Sequence, residues 1–171
     1  MGTPLEIKQD SARAAELNEE TFVRKIAEHR RKLYGIAFSY LHNEADALEA
    51  LQEASCKAWI KRKMLKEDAA FLPWMIRILI NCCMDELRKR KRVVPSDTAG
   101  EERFEESRMV SSRRIDLDRA LARLPDKYRH VIILKYYHDM TLTEVARVLK
   151  KPEGTVKTWL HKALKRMREL L

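Results

Sequence analysis

The sequence predicts an all-α protein of two small helical domains joined by a flexible linker, with a helix-turn-helix at the end of the second domain. Glycine and proline are scarce, at 4 and 5 of 171 residues, and 36% of the residues are charged, which is typical of helical proteins. Apolar residues recur at spacings of three and four, the period of a helix. The expected domains span residues 1–92 and 113–171, with an acidic linker at residues 93–112.

Three helices are expected in the first domain. A loosely held leader over residues 1–17 precedes a helix from Thr21 to about Tyr40. Asn43 is a good N-cap for a second helix over residues 44–60. The inward positions of that helix are predicted to be Ala47, Leu48, Leu51, Ala54, Ala58 and Trp59. A charged loop over residues 61–68 leads to a third helix from Ala69 to about Arg92.

The pattern changes after the third helix. Residues 93–112 contain Pro95, Gly100 and two pairs of glutamates, and their apolar periodicity fades, so a flexible acidic linker is expected. Helical periodicity resumes at Arg113. The first helix of the second domain stops at Pro125, and the same proline opens the next helix.

The C-terminal segment predicts a helix-turn-helix. Thr141 and Glu144 have the spacing of a capping box at a helix start, and the lysines before Pro152 break that short helix. One face of the following helix is apolar, with Val156, Leu160, Ala163, Leu164, Met167 and Leu171. The other face is polar and basic, with Lys157, Thr158, His161, Lys162, Lys165 and Arg168. This is the design of a recognition helix that enters the major groove of DNA; the alternative is an ordinary amphipathic helix with solvated lysines.

The charge distribution favours a polyanionic partner for the second domain. The formal net charge is +9 with a pI near 9.6, and residues 113–171 alone contribute 15 basic and 7 acidic side chains. The longest apolar run is far too short to span a bilayer, so a cytoplasmic protein is expected. Cys56, Cys82 and Cys83 form no CxxC pair and indicate a reducing compartment. A zinc site that combines them with His29 or His42 fits no usual ligand spacing, so no metal and no cofactor are expected.

Four sequence strings resemble one protein family. Residues 46–54, with Trp59 beyond them, resemble the second-region helix of bacterial sigma factors, and residues 71–85 resemble the helix that opens promoter DNA. Residues 124–129 and 152–158 resemble the fourth region. The chain is therefore similar to an extracytoplasmic-function (group IV) sigma factor of the sigma-70 family, an RNA polymerase subunit that directs promoter-specific initiation. Region 2 would occupy residues 1–92, and region 4 would occupy residues 113–171.

The resemblance implies three sets of site residues. Polymerase binding would involve Asp46, Glu49, Gln52 and Glu53, which share one polar helix face; a solvated acidic face is the alternative. The minus-10 element would be contacted by Trp74, Arg77, Asn81, Asp85, Lys89 and Arg90. For Trp74 the alternative is core packing, and for the two basic residues it is a charge cluster at a helix C-terminus. The minus-35 element would be contacted by Thr155, Lys157, Thr158, His161, Lys162, Lys165 and Arg166.

The implied partners follow from the same resemblance. They are core RNA polymerase, through its beta-prime clamp helices and beta flap, promoter DNA, and an anti-sigma factor. No small-molecule substrate is expected, and the free chain is expected to be a monomer. One alternative is a free-standing helix-turn-helix regulator whose first domain senses a ligand. An enzyme is disfavoured because the sequence has no glycine-rich phosphate loop and no HExxH motif.

Overall fold

The computed structural model describes residues 17–93 and 112–171, and nearly all of these residues are helical. The helices are α1 (Glu19–Leu41), α2 (Glu44–Ile60), α3 (Phe71–Val93), α4 (Ser112–Arg123), α5 (Asp126–Ile132), α6 (Leu142–Leu149) and α7 (Glu153–Leu170). No strand occurs in these two segments, so the all-α prediction is confirmed. The predicted leader, except for Leu17, and most of the predicted linker lie outside the described residues.

Local capping residues set the starts of the first two helices. The side chain of Asn18 accepts a hydrogen bond of 2.8 Å from the backbone N–H of Thr21. Asn43 does the same for Asp46 at 2.9 Å, so the N-cap predicted at Asn43 is confirmed. Between them, α1 ends at His42 in the left-handed conformation, with φ of 51°. The turn between α1 and α2 is therefore defined by its own short-range hydrogen bonds.

Small residues form the packing face of α2 against α1 and α3. Its buried residues are Ala47, Ala50, Leu51, Ala54 and Ala58. Leu48, which was predicted to face inwards, is 39% exposed, and Trp59 is only partly buried. Small side chains allow close approach of packed helices. The alanines therefore lie on the contact face, and the larger Leu48 does not.

The connection between α2 and α3, which includes the predicted charged loop over residues 61–68, contains two 3₁₀ turns. They span Arg62–Met64 and Asp68–Ala70. The guanidinium carbon of Arg62 lies 3.8 Å from the ring centroid of Trp59, and Arg62 Nη1 donates 2.8 Å to the Trp59 carbonyl. Lys25 Nζ on α1 pairs with Asp68 at 2.5 Å. These contacts attach the start of the connection to α2 and its end to α1.

A buried arginine holds the second domain together. Arg129 on α5 donates to the carbonyl oxygens of Leu121, Ala122 and Leu124 at 3.0, 2.8 and 3.2 Å. These carbonyls lie at or just beyond the C-terminal end of α4, where the usual i+4 backbone donors are missing; the Leu121 carbonyl also accepts from the Leu124 N–H at 3.1 Å. Through these hydrogen bonds Arg129 fixes α4 against α5. After α5 the chain continues as a π-helical turn over Ile133–Tyr137.

The two domains share an apolar core. Seven buried residues of the second domain join the core of the first: Val131, Ile133, Leu134, Met140, Val145, Val148 and Val156. Helix α3 packs directly on α6, and α1 packs on the π-helical turn. A smaller second core lies among α4, α5 and α7. The sequence predicted two domains connected by a linker; the described segments also pack against each other.

Candidate nucleic-acid interface

The helix-turn-helix is built by α6, a tight turn and α7. Glu144 N–H donates 3.2 Å to the hydroxyl of Thr141, and the Glu144 carboxylate accepts 2.7 Å from the backbone N–H of Thr141. The predicted capping box is therefore confirmed. Lys150 ends α6 with φ of 51°, and the hydroxyl of Thr143 donates 3.1 Å to Glu153 across the two helices. The turn thus holds α6 and α7 at a fixed mutual angle.

Helix α7 presents a basic face to solvent. Its buried residues are Val156, Ala163 and Met167. Its exposed residues include Lys157, Thr158, His161, Lys162, Lys165, Arg166 and Arg168. Leu171, predicted to lie on the apolar face, follows the helix and is exposed. The arrangement offers polar groups for base edges and cations for phosphates on one surface.

The first turn of α7 is open. A Cβ atom added to Gly154 would meet no other atom within 4 Å. Thr158 donates through its hydroxyl to the Gly154 carbonyl at 3.0 Å, and Thr155 is half-buried beside them. The N–H groups at a helix start attract anions, and among the described residues the space beside the Cα of Gly154 is open.

An aromatic and basic cluster beside α7 contains one residue of the predicted site, Arg166, together with three that were not predicted. Lys127 Nζ lies 5.6 Å from the ring centroid of Trp159, and the Arg166 guanidinium lies 5.3 Å from that of Tyr128. Ring faces hold cations at such distances. The sequence shows Trp159 between two candidate readers but gives no sign that α5 supplies Lys127 and Tyr128 to the same surface.

Helix α3 carries a second polar face. Asn81, Asp85 and Lys89 are exposed and stand four residues apart, so they lie along one side of the helix. Asp85 accepts 2.8 Å from Arg88. Trp74 is partly buried, with its ring centroid 6.1 Å from that of Phe71. The predicted minus-10 residues Asn81, Asp85 and Lys89 are therefore brought together on an accessible surface, whereas Trp74 packs on the core.

Arg77, another predicted minus-10 residue, contacts the second domain. Its Nε donates 2.8 Å to the carbonyl of Val148, and its Nη2 lies 3.5 Å from the carbonyl of Arg147. These carbonyls stand at the C-terminal end of α6, the negative end of the helix dipole. Burial lowers the pKa of Arg77. In this arrangement Arg77 joins the two domains and is not presented to DNA.

Arg90 is also placed differently from the expectation that it contacts phosphates. It forms an ion pair with Asp46 on α2 and donates 3.1 Å to the Leu41 carbonyl. About a fifth of its side chain is exposed. Because its guanidinium is committed to these groups, Arg90 links three helices of the first domain, whereas its neighbour Lys89 is exposed.

The predicted polymerase-binding face lies on α2. Glu49 and Gln52 are exposed. Glu53 pairs with Lys57 at 2.8 Å, and this hydrogen bond raises the pKa of Lys57. Asp46 is half-buried against Arg90. Three of the four predicted residues thus form an exposed polar strip, while Asp46 lies at its inner edge.

Metal and membrane features can be judged for the described part of the chain. Residues 17–93 and 112–171 contain no group of three or more histidine, cysteine or acidic side chains placed to hold a metal ion. None of their helices is long and apolar enough to cross a membrane. All three cysteines are free; Cys56 is exposed, and Cys82 and Cys83 are buried.

Comparisons with known proteins give a consistent result. Residues 25–93 match the family described as Sigma-70 region 2, and residues 114–167 match Sigma-70, region 4. RNA polymerase sigma factor SigV of Bacillus subtilis (strain 168) is 34% identical over 143 residues, covering 84% of this chain and 86% of that protein. ECF RNA polymerase sigma factor SigW of the same organism is 28% identical over 169 residues, covering 90% of each.

Two solved structures share the fold. CnrH, in complex with the cytosolic domain of CnrY, has a TM-score of 0.68 and 26% identity, with coverage of 93% of this chain and 92% of that one. Sigma factor RpoE from Bartonella quintana, in complex with the anti-sigma factor NepR, has a TM-score of 0.62 and 22% identity, with coverage of 87% and 95%.

Proposed function

The chain belongs to the sigma-70 family and is an RNA polymerase sigma factor of the extracytoplasmic-function group, and from this premise we propose how its surfaces divide the work. The first domain binds core RNA polymerase and reads the minus-10 element, and the second reads the minus-35 element. The matches to both sigma regions, in order along one chain, argue against a free-standing helix-turn-helix regulator.

Recognition of the minus-35 element is assigned to α7, and the exposed basic face of this helix is the observation that carries the proposal. Lys157, Thr158, His161 and Lys162 read base edges in the major groove. Lys165 and Arg166 hold the phosphate backbone, and Thr155 with the open first turn of α7 binds a phosphate at the helix N-terminus.

Recognition of the minus-10 element is assigned to the exposed side of α3. Asn81 and Asp85 contact bases of the opened strand, and Lys89 binds its backbone. The loop over residues 61–68 lies before α3 and forms the wall of a pocket for an unstacked base, whose removal from the stack requires a few kcal/mol. Arg77 can join this surface only after it leaves the Val148 carbonyl.

Binding to core polymerase is assigned to two surfaces. The exposed strip of Glu49, Gln52 and Glu53 on α2 meets the basic beta-prime clamp helices. The beta flap is placed in a groove between α4 and the end of α7, where Leu117, Ala120, Leu170 and Leu171 supply apolar lining. No catalytic activity is proposed for the chain itself, which acts in the cytoplasm with the polymerase.

An anti-sigma factor is the remaining proposed partner. CnrH and RpoE were both solved in complexes, with the cytosolic domain of CnrY and with NepR, respectively. A protein that holds the two domains together would cover surfaces needed for polymerase and promoter. Affinity purification from the source cell tests this proposal: a stoichiometric inhibitor supports it, and the absence of any inhibitory partner contradicts it.

Transcription by core RNA polymerase, with and without this protein, on fragments of its own genome tests the sigma-factor function. Promoter-specific transcripts that require the protein are expected, and their upstream sequences should share two elements. A gel-shift assay with the protein alone is the control. A discrete shift without polymerase, together with no new transcript, would contradict the proposal and favour an independent regulator.

A further inference from the structure

Three histidines lie at the contact between the two domains, and each meets a residue of the other domain. His130 Nδ1 on α5 lies 2.7 Å from the hydroxyl of Tyr40 on α1. His138 Nε2, after the π-helical turn, lies 2.9 Å from the hydroxyl of Ser39 on α1. His42, at the end of α1, lies 3.9 Å from Asp118 on α4. The contact surface thus concentrates the side chain whose charge changes near neutral pH.

The neutral form of His138 fits its site. The Ser39 hydroxyl lies 2.9 Å from the Gly35 carbonyl and donates its only proton there, so it accepts from His138 Nε2–H. A Cβ on Gly35 would lie 3.3 Å from the His138 ring. The charged groups that face this imidazole are Lys32 from α1 and Asp139 from its own turn, and burial lowers the pKa of His138. A second ring proton would add positive charge near Lys32 in this closely packed position.

Of the three histidines, His130 has the most strongly lowered pKa. Its ring faces the buried phenol of Tyr40 from α1, together with Asp126 and Arg129 from its own helix. Burial lowers the pKa of His130 to about 4. Tyr40 is itself buried, and burial raises the pKa of its phenol. Both partners of this hydrogen bond therefore stay neutral while the domains are packed together.

The pKa of His42 is also lowered, although its partner Asp118 is acidic. It faces Asp118 and Arg114 from α4 and Arg90 from α3. Burial lowers the pKa of His42 more than Asp118 raises it, and burial also raises the pKa of Asp118. The pair is held closer to neutral than an exposed ion pair would be.

We propose that His42, His130 and His138 form an acid-sensitive latch that keeps the two domains packed together near neutral pH and releases them as the pH falls. Separation of the domains hydrates all three rings. It also frees Arg77 from the Val148 carbonyl. The latch belongs to the free chain and does not depend on the assignment of the DNA and polymerase surfaces.

The sign of the effect follows from proton linkage. In the packed state the three histidines have lowered pKa values, so the separated state binds more protons in acid. The stabilisation of the packed state is complete above the ordinary pKa of about 6.5 and is lost as the pH falls through the lowered values. For His130 alone, going from pH 7.5 to pH 5.0 should raise the ratio of separated to packed chains about 30-fold.

Resonance energy transfer within the free, full-length chain measures this ratio. A donor dye on exposed Cys56 and an acceptor on a Lys165→Cys variant report the distance between the domains, since Cys82 and Cys83 are buried. We expect the ratio of separated to packed chains to rise about 30-fold between pH 7.5 and 5.0, with unchanged helicity by circular dichroism. No change in transfer efficiency over this range would overturn the proposal.

Variants separate the latch from general effects of acid. A His42→Gln, His130→Gln, His138→Gln triple variant should change less than about threefold, since glutamine does not titrate. His161→Gln, an exposed histidine on α7, is the matched control and should respond like the unaltered chain. Equal acid-induced separation in the triple variant would refute the latch. If the triple variant fails to fold, NMR titration of the unaltered chain decides: pKa values near 6.5 for all three rings refute it, and lowered values support it.

Discussion

Arg90 on α3 and Asp46 at the start of α2 form an ion pair that is four-fifths enclosed by the first domain. Arg90 also donates to the carbonyl of Leu41 at the end of α1. Its neighbour Lys89 points to solvent. Two adjacent basic residues of one run therefore have different roles: one stabilises the domain, and the other is available to a polyanion.

Arg90→Ala should lower the free energy of unfolding by about 1–3 kcal/mol, because it leaves a partly buried carboxylate and a carbonyl without their charged donor. Lys89→Ala should leave it within about 0.5 kcal/mol of the unaltered chain. Urea denaturation measures both. In holoenzyme–promoter binding, Lys89→Ala should reduce the slope of log affinity against log salt by about 1. A loss of stability in Lys89→Ala, together with normal stability in Arg90→Ala, would show that the two residues have the opposite roles.

Gly154→Ala separates stability from DNA binding. The added Cβ meets no other atom within 4 Å, and alanine is favoured over glycine in a helix by about 0.5–1 kcal/mol, so the melting temperature should stay the same or rise. If a phosphate approaches the first turn of α7, promoter affinity should fall several-fold. Gly35→Ala is the contrasting variant for stability, since its Cβ would lie 3.3 Å from the His138 ring, and it should lower the melting temperature. Unaltered promoter affinity in Gly154→Ala would remove the first turn from the interface.

The recognition face of α7 should divide into readers and phosphate contacts. Lys157→Ala or His161→Ala should cost about 1–3 kcal/mol at particular base pairs and little elsewhere. Lys165→Ala should weaken binding to all promoter sequences alike and reduce the salt dependence. Holoenzyme binding to a set of single-base promoter variants measures this. Uniform losses for Lys157→Ala and His161→Ala would show that neither side chain reads bases.

Glu53→Arg tests the polymerase-binding strip. Glu53 and Lys57 form an exposed pair four residues apart, and Glu28 forms a similar pair with Arg24 on α1. Since exposed pairs of this kind contribute less than about 1 kcal/mol, both Glu53→Arg and Glu28→Arg should fold. Only Glu53→Arg should lose affinity for core polymerase in a pull-down or fluorescence-anisotropy assay. Normal binding by Glu53→Arg would refute this placement of the clamp-helix surface.

The thiols should differ in reactivity. Cys56 is exposed, whereas burial raises the pKa of Cys82, and raises that of Cys83 to about 12. Because the thiolate is the reactive form, one thiol should react rapidly with a maleimide at pH 8 in the folded chain, and three should react in denaturant. Mass spectrometry counts the adducts. Rapid modification of all three thiols without denaturant would contradict the burial of Cys82 and Cys83.

Features that depend on neighbouring residues were predictable from the sequence. The N-cap at Asn43 and the capping box of Thr141 and Glu144 are formed within three positions of the chain, so their residue types identify them. The exposed side of α7 follows from helical periodicity alone. The inward position of Leu48 was wrong because the packing face of α2 depends on the close approach of two other helices, and no single helix contains that information.

Contacts between distant residues were not predictable. Arg77 and Val148 are 71 positions apart, Tyr40 and His130 are 90 apart, and Ser39 and His138 are 99 apart. Such pairs leave no periodic pattern in either segment. Charge and resemblance therefore predict DNA contacts for Arg77 and Arg90, whereas in the folded chain their partners are backbone carbonyls and a carboxylate.

If core polymerase accepts only separated domains, the apolar core that they share sets how well the chain competes for polymerase. A polymerase that accepts only separated domains binds with an apparent Kd equal to the intrinsic Kd divided by the fraction of separated chains. A fraction of about 1% would weaken binding about a hundredfold with every contact surface intact. Substitutions at Val145 or Val148, buried where α6 meets the first domain, should therefore alter the share of core enzyme that this sigma factor binds in competition with other sigma factors.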